Sequence, residues 1–284
     1  HQDHLALASL VLEHYGLKRV GIEEAYLTVE RWQKMKTAFP ADTELVPAGK
    51  LLTELRSAKT EEELAVMQKA QDITDQVFAE ICEFLHAGVT ESEVAAQLTY
   101  LQMKHGAEGN SFPPIVASGA NGSMPHAIPT AKPIQKGEFV TMDFGCIYQG
   151  YCSDMTRTVA IGQPSDEMRR VYDAVLEAQL AGIAAAKAGV PGCDVHNAAW
   201  DVLKKYGYGD YFGHGFGHSL GIEIHESPNA NRANTKPLPA GAVLSAEPGV
   251  YLPGKFGVRT EDVIFLTETG NRILTHAPKH LIIR

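Results

Sequence analysis

Two aspartates in neighbouring strand-like runs pose the first chemical question. Met142-Asp143-Phe144-Gly145 and Tyr151-Cys152-Ser153-Asp154 flank Gln149-Gly150, a dipeptide suited to a tight turn between residues 139–147 and 151–161. In the hairpin this predicts, Val140, Met142 and Phe144 share one face, and Thr141 and Asp143 share the other. A two-residue turn sets Asp143 opposite Thr156, with Asp154 two positions along the same face. A slip of the turn by one residue would set the two aspartates directly opposite. Two unit charges about 4 Å apart repel by roughly 4 kcal/mol at an effective dielectric near 20. That face therefore needs a cation, a shared proton or open solvent.

Later segments add further ligand types. Glu247 ends the apolar run Leu244-Ser245-Ala246 ahead of the forced turn Pro248-Gly249. Glu261 lies in Gly257-Val258-Arg259-Thr260-Glu261-Asp262, leading into Val263-Ile264-Phe265. Ahead of both stands His214-Gly215-Phe216-Gly217-His218-Ser219-Leu220-Gly221, with glycine at 213, 215 and 217. Those glycines permit close backbone approach and aim two imidazoles inward. They also oppose a helix, so His214 and His218 are not a helical zinc motif, and no His-Glu-x-x-His occurs. Four carboxylates and one neutral imidazole suit two divalent cations, formally −4 against +4, with a bridging hydroxide as nucleophile. Oxygen-rich ligation favours Mn²⁺, with Co²⁺ or Zn²⁺ as alternatives, over an all-thiolate zinc site. Two ions about 3.5–4 Å apart can acidify a shared water and polarise a carbonyl.

The order of these motifs resembles the signature of the pita-bread metallopeptidases (M24) over about residues 60–284. That family holds Xaa-Pro dipeptidases (prolidases), Xaa-Pro aminopeptidases, methionine aminopeptidases and creatinase. The resemblance implies hydrolysis of the Xaa-Pro bond in dipeptides, with Xaa-Pro aminopeptidase as the nearest alternative. It implies that Asp143 binds a first metal, Asp154 and Glu261 bridge, and His218 and Glu247 complete the second. Glu247 would also take the proton of the attacking water. His225 would steady the tetrahedral centre and shuttle a proton. His214 would serve both catalysis and substrate binding, and His126 would line the substrate site. Arg259 would hold the neighbourhood of Glu261 or a substrate carboxylate. A homodimer follows by the same analogy. A metal-free hydrolase of the creatinase kind would have lost ligands, and a non-catalytic homologue would have lost ligands or gained basic insertions; neither is seen.

The elements that must position these residues read as α+β, with helices over a curved, largely antiparallel sheet. Thr60-Glu61-Glu62-Glu63 and Thr90-Glu91-Ser92-Glu93 are capping boxes, opening a long apolar-faced helix to about residue 85 and a second to about His105. Helical patterns return at 166–188 and 194–206, and short strands are predicted at 221–225, 242–247, 258–266 and 272–274. Residues 1–55 show α/β alternation (helices near 5–17 and 28–37, strands at 19–22 and 44–47), and a polar linker is expected near 50–59. The expected division is therefore a partial α/β N-terminal domain, 1–55, and a catalytic domain, 56–284. Without an initiator Met, the chain is expected to begin inside a longer product, with that first domain truncated.

Composition limits the alternatives. With 284 residues, 44% hydrophobic and 21% charged, the chain has globular proportions. A net charge of −9 argues against a broad nucleic-acid or anionic-membrane surface. No apolar run is long enough to span a bilayer, and His1-Gln2-Asp3-His4 does not open a signal peptide. Cys82, Cys146, Cys152 and Cys193 show no Cys-x-x-Cys pairing and are expected to be reduced, in a cytoplasmic setting. His196, His276 and His280 are expected outside the site, with His196 on the surface, and Arg169-Arg170 on a solvated helix face.

Overall fold

The computed structural model describes residues 3–284, so the first two residues of the opening His1-Gln2-Asp3-His4 lie outside it. The chain divides into two compact units, His1–Arg56 and Ser57–Arg284.

In the first unit, helices α1 (His4–Tyr15) and α2 (Val29–Ala38) accompany parallel strands β1 (Arg19–Ile22) and β2 (Glu44–Pro47). Asp3 caps α1 by accepting from the Leu5 N–H at 3.0 Å, and Gly16 ends it at φ 60. Among the described residues of this unit only Leu12 and Phe39 are buried. The linker expected near 50–59 is corrected: Gly49–Arg56 forms α3. Its run Lys-Leu-Leu-Thr-Glu-Leu-Arg is rich in good helix formers, and Lys50 faces Glu54 one turn on at 3.7 Å.

The second unit opens with α4 (Glu61–Phe84) and α5 (Glu91–Lys104), and both capping boxes are complete. There follow β3 (Gly109–Asn110), β4 (Ile115–Ser118), β5 (Glu138–Phe144), β6 (Cys146–Tyr148), β7 (Tyr151–Cys152) and β8 (Met155–Ile161). Next come α6 (Asp166–Ala185), α7 (Gly192–Lys205), β9 (Gly217–Ser219), β10 (Glu226–Ala230), β11 (Val243–Ala246) and β12 (Gly249–Leu252). β13 (Phe256–Arg259), β14 (Asp262–Leu266), β15 (Asn271–Ile273) and β16 (Ile282–Ile283) complete the order. A four-stranded sheet runs β16-β8-β5-β4, and a five-stranded sheet runs β10-β9-β11-β14-β15; all of their pairings are antiparallel except β16 with β8.

Each sheet carries its own pair of helices. α4 and α5 bury Ile73, Val77, Ile81, Val94 and Leu98 against Val140, Met142 and Phe144 of β5 and Val159 of β8. α6 and α7 bury Val171, Val175, Val195 and Leu203 with Leu244, Val258 and Ile264. Full burial of each such side chain contributes about 1.5–3 kcal/mol. Because period-two alternation commits one face of β5 and β8 to this core, Thr141, Asp143, Thr156 and Thr158 are left on the other face.

Three sequence expectations need correction here. Residues 221–225 are not a strand: Gly221 N–H bonds Glu223 O and Glu223 N–H bonds the Glu226 carboxylate, so the backbone turns, and pairing begins at Glu226. The single strand expected over 258–266 is broken at Thr260-Glu261, where the chain leaves its pairing with β12 and joins β11. His196 is buried rather than on the surface, because it shares the inward face of α7 with Ala199 and Leu203. Its ring stacks on Phe212 at 5.1 Å, its Nε2 accepts from Arg232 Nε at 3.1 Å, and burial pushes its pKa down to about 4.

Candidate metal centre

The hairpin adopts the unslipped register. Asp143 pairs with Thr156 and Tyr148 with Tyr151, and Gln149 (φ 47) and Gly150 (φ 79) form the two-residue turn. Asp143 and Asp154 are therefore diagonal neighbours on one face. Between β5 and β6 the chain passes Gly145, where a Cβ would lie 1.9 Å from Ser153 O; only glycine lets the two arms approach so closely there.

Glu261 owes its place to the break between β13 and β14. Its N–H bonds Thr156 O at 3.0 Å, its carbonyl accepts from the Arg157 guanidinium, and its Oε2 accepts from Thr156 Oγ1 at 2.7 Å. The step between sheets thus pins a carboxylate beside the hairpin. His218 and Glu247 come from the five-stranded sheet and its edge. Ser245 Oγ accepts from His218 N–H at 3.0 Å and donates to Glu247 Oε1 at 2.9 Å. β9 lies close because position 217 is glycine: a Cβ there would sit 1.9 Å from Ser245 O.

The side-chain atoms converge. His218 Nε2 lies 3.6 Å from Asp154 Oδ2 and 3.3 Å from Glu247 Oε1. One ligand atom from each of Asp154, His218 and Glu261 falls within 4.8 Å of the others. His218 Nδ1 donates to Ser219 O at 3.1 Å, which orients the ring with Nε2 toward Asp154 and Glu247. Asp143 Oδ1, Asp154 Oδ1 and Glu261 Oε1 are buried without a hydrogen-bond partner. Buried carboxylate oxygens in that state are strongly disfavoured unless something cationic meets them. Three bare acid oxygens and one imidazole nitrogen are hard and borderline donors, so the set fits divalent cations.

Electrostatics separates the acids. Burial, then the charges of Glu261, Asp143 and Glu247, push Asp154 well above the usual carboxylate range. Burial, with Glu247 and Asp143 adding to it, does the same to Glu261. Asp143 is raised by burial, with Arg259 opposing. Glu247 feels the same burial, but His218, His214 and Arg259 outweigh it and hold its carboxyl below the ordinary value. His214 and His225 are both lowered, chiefly by burial, and favour the neutral form.

Arg259 is committed to protein groups. Its Nη2 meets Asp143 Oδ2 at 2.6 Å, its Nε donates to Thr156 Oγ1 at 3.1 Å, and its Nη1 donates to Tyr251 Oη at 2.7 Å and Pro125 O at 3.2 Å. Tyr251 in turn donates to His214 Nε2 at 2.9 Å, while His214 Nδ1 donates to Gly215 O at 2.8 Å. His225 packs edge-on against His218, centroids 4.4 Å apart. All nine residues singled out in the sequence (His126, Asp143, Asp154, His214, His218, His225, Glu247, Arg259 and Glu261) line one cleft of about 460 Å³. His276, near Asp75 at 3.6 Å, does not line it.

Sequence reasoning missed Tyr251, Thr156 and Ser245. Tyr251 had a readable signal. Gly249-Val-Tyr-Leu, turned at Pro253-Gly254, pairs back on Phe256–Arg259, with Gly249 opposite Arg259 and Tyr251 opposite Gly257. The two small residues stand where the guanidinium and phenol need room; a Cβ on Gly249 would lie 2.5 Å from Tyr251 Oη.

Comparison with known proteins gives the family. Residues 65–268 match metallopeptidase family M24, and residues 2–58 match the creatinase/prolidase N-terminal domain. An uncharacterized peptidase of Bacillus subtilis is 43% identical over 272 residues, 96% of this chain and 77% of the relative. A solved Xaa-Pro dipeptidase from Bacillus anthracis superposes with a TM-score of 0.96 at 40% identity, over 100% of this chain and 80% of that one. A solved X-Pro aminopeptidase from Thermotoga maritima gives 0.96 at 37% identity, with coverage of 100% and 80%. The chain belongs to metallopeptidase family M24 and has its pita-bread α+β fold; membership of a metallopeptidase family implies divalent metal ions. Among the described residues, no helix is long and apolar enough to cross a membrane.

Proposed function

We propose that this chain hydrolyses the Xaa-Pro bond of dipeptides, using two divalent ions, of which Mn²⁺ suits the oxygen-rich donor set best. The observation that carries the reading is the set of bare, buried oxygens on Asp143, Asp154 and Glu261 facing one cleft with the Nε2 of His218. Asp143 would hold one ion, His218 and Glu247 the other, with Asp154 and Glu261 shared. When bound, such ions acidify a water and polarise the scissile carbonyl.

The chain's own groups supply the rest. Glu247, the acid held ionised beside three acids pushed upward, accepts the proton of the attacking water. His225, neutral and on the cleft wall, donates to the oxygen that gains charge and relays a proton to the leaving amine. His126 and His214 line the substrate side. Arg259's bonds favour a holding role toward Asp143 and Thr156 over capture of a substrate carboxylate. The same reading takes residues 1–55 and 56–284 as separate domains, and includes a homodimer, on the family resemblance, and a cytoplasmic setting, on four cysteines without a disulfide.

The second reading, an Xaa-Pro aminopeptidase, is favoured by the equal superposition on the Thermotoga enzyme. The deciding experiment compares Ala-Pro with Ala-Pro-Ala, Mn²⁺ supplied. Cleavage confined to Ala-Pro supports the dipeptidase, and faster release of alanine from Ala-Pro-Ala overturns it in favour of the aminopeptidase.

A further inference from the structure

Glu91, the first residue of α5, is fully buried, and six hydrogen bonds converge on its carboxylate. Oε1 accepts from the N–H and hydroxyl of Ser118, both at 2.7 Å, and from Asn121 Nδ2 at 3.1 Å. Oε2 accepts from Asn121 Nδ2 at 3.0 Å, Thr130 N–H at 3.1 Å and Thr130 Oγ1 at 2.6 Å. Helix capping does not require this, because Thr90 and Glu93 complete the capping box by themselves. The donors instead come from the two ends and the interior of segment 118–130. Burial alone would raise the Glu91 pKa, but the Thr130 and Ser118 donors outweigh it and hold the group below the ordinary value. An ionised carboxylate accepts all these bonds at once, whereas an amide would turn a donor toward donors.

The segment so gathered meets the cleft at two points. It places His126 on the cleft wall, and it offers the Pro125 carbonyl to Arg259 Nη1 at 3.2 Å. Its Gly122 packs on β13, where a Cβ at Gly257 would lie 1.9 Å from Gly122 O. The segment is thus held between Glu91 on one side and the strand bearing Arg259 on the other, with no slack at the contact.

We propose that Glu91 is a positioning residue for substrate recognition: by gathering Ser118, Asn121 and Thr130 it sets where His126 and the Pro125 carbonyl stand on the cleft wall. This rests on the peptidase reading above, with His126 touching the peptide. A residue acting on uniform binding raises KM and spares kcat.

The test uses Asn121→Ala and Thr130→Val, which remove part of the cluster, beside Glu91→Gln, which risks the fold. With Ala-Pro and Mn²⁺, each of the two milder variants is expected to raise KM by roughly tenfold, with kcat within about twofold and metal content unchanged. Rescue of KM by Thr130→Ser is expected as well. An unchanged KM accompanied only by lower thermal stability, or a kcat loss larger than the KM change, overturns the proposal. If the unaltered protein cleaves no Xaa-Pro peptide, it is the peptidase reading that fails. Hydrogen exchange in Asn121→Ala then decides separately: faster exchange over 119–130 with 139–161 unaltered supports the positioning role, and unaltered exchange over 119–130 removes it.

Discussion

Arg259 Nη2 sits 2.6 Å from Asp143 Oδ2, and the other oxygen of that carboxylate, Oδ1, is buried with no partner. The guanidinium therefore meets one oxygen of this carboxylate and leaves the other unpaired. Both side chains are largely buried, so the pair is not a screened surface contact.

Replacing Arg259 with Met should destabilise the fold by about 3–5 kcal/mol, because removing one partner of a buried pair strands the other. Urea unfolding of the metal-free protein measures this. A loss below about 1 kcal/mol would show that Asp143 simply takes up a proton in compensation.

Asp154→Asn should abolish Mn²⁺-dependent cleavage of Ala-Pro while leaving the fold intact. Asp154 is crowded by Glu261, Asp143 and Glu247, so the metal-free variant should be at least as stable as the parent. Unchanged turnover would remove the two-metal assignment.

His225→Ala separates chemistry from ligation. His225 packs edge-on against His218 but is not among the residues whose donor atoms cluster. Metal content should persist while turnover falls by roughly 10²–10⁴. A loss of metal in this variant, read by elemental analysis, would move His225 into the coordination sphere.

Tyr251→Phe deletes one oxygen from the relay joining Arg259 to His214. A hydrogen bond to a charged group contributes about 1.5–3 kcal/mol, so kcat/KM should fall on the order of 10- to 100-fold. Full activity in the phenylalanine variant would leave the phenol without a part in the site.

Stability of the metal-free protein should depend on pH in a stated direction. Asp154 and Glu261 have folded pKa values well above the ordinary carboxylate range. Between the ordinary and the raised values the folded chain holds protons that the unfolded chain has lost, so stability falls as pH rises through that interval. Metal binding displaces those protons, so the metal-induced rise in Tm should grow with pH. His196, His214 and His225, with lowered values, act in the opposite sense. The comparison is therefore made against Asp154→Asn/Glu261→Gln, in which the downward slope should shrink to the part that Asp143 and Asp75, also raised by burial, still contribute. An identical slope in that variant would place its origin elsewhere.

Much of the site was legible because it is built from local sequence rules. The Gln149-Gly150 turn fixes a register, the register fixes a face, and the face puts Asp143 and Asp154 together. The glycine run before His218 likewise announced a close approach, although not the strand Gly217–Ser219 that makes it. What stayed hidden depends on pairs far apart in the chain. Thr156 matters because Glu261 lands on it across more than a hundred residues, and Ser245 because His218 does so from another strand. His196 misled because a lone histidine on a helix carries no sign of which face is inward; that is decided by the sheet beneath. The helix Gly49–Arg56 was obscured by its charges, which mark a wet helix as readily as a linker.

The bare α-carbon at position 217 has a wider implication. Any side chain there would have to enter the space of the Ser245 carbonyl, and Ser245 is the residue that tethers both His218 and Glu247. A single methyl would act as a wedge between those two, leaving the Asp143 side of the cleft undisturbed. On the two-ion reading proposed above, Gly217→Ala would therefore loosen the His218–Glu247 side before the Asp143 side, without removing any of the proposed ligands.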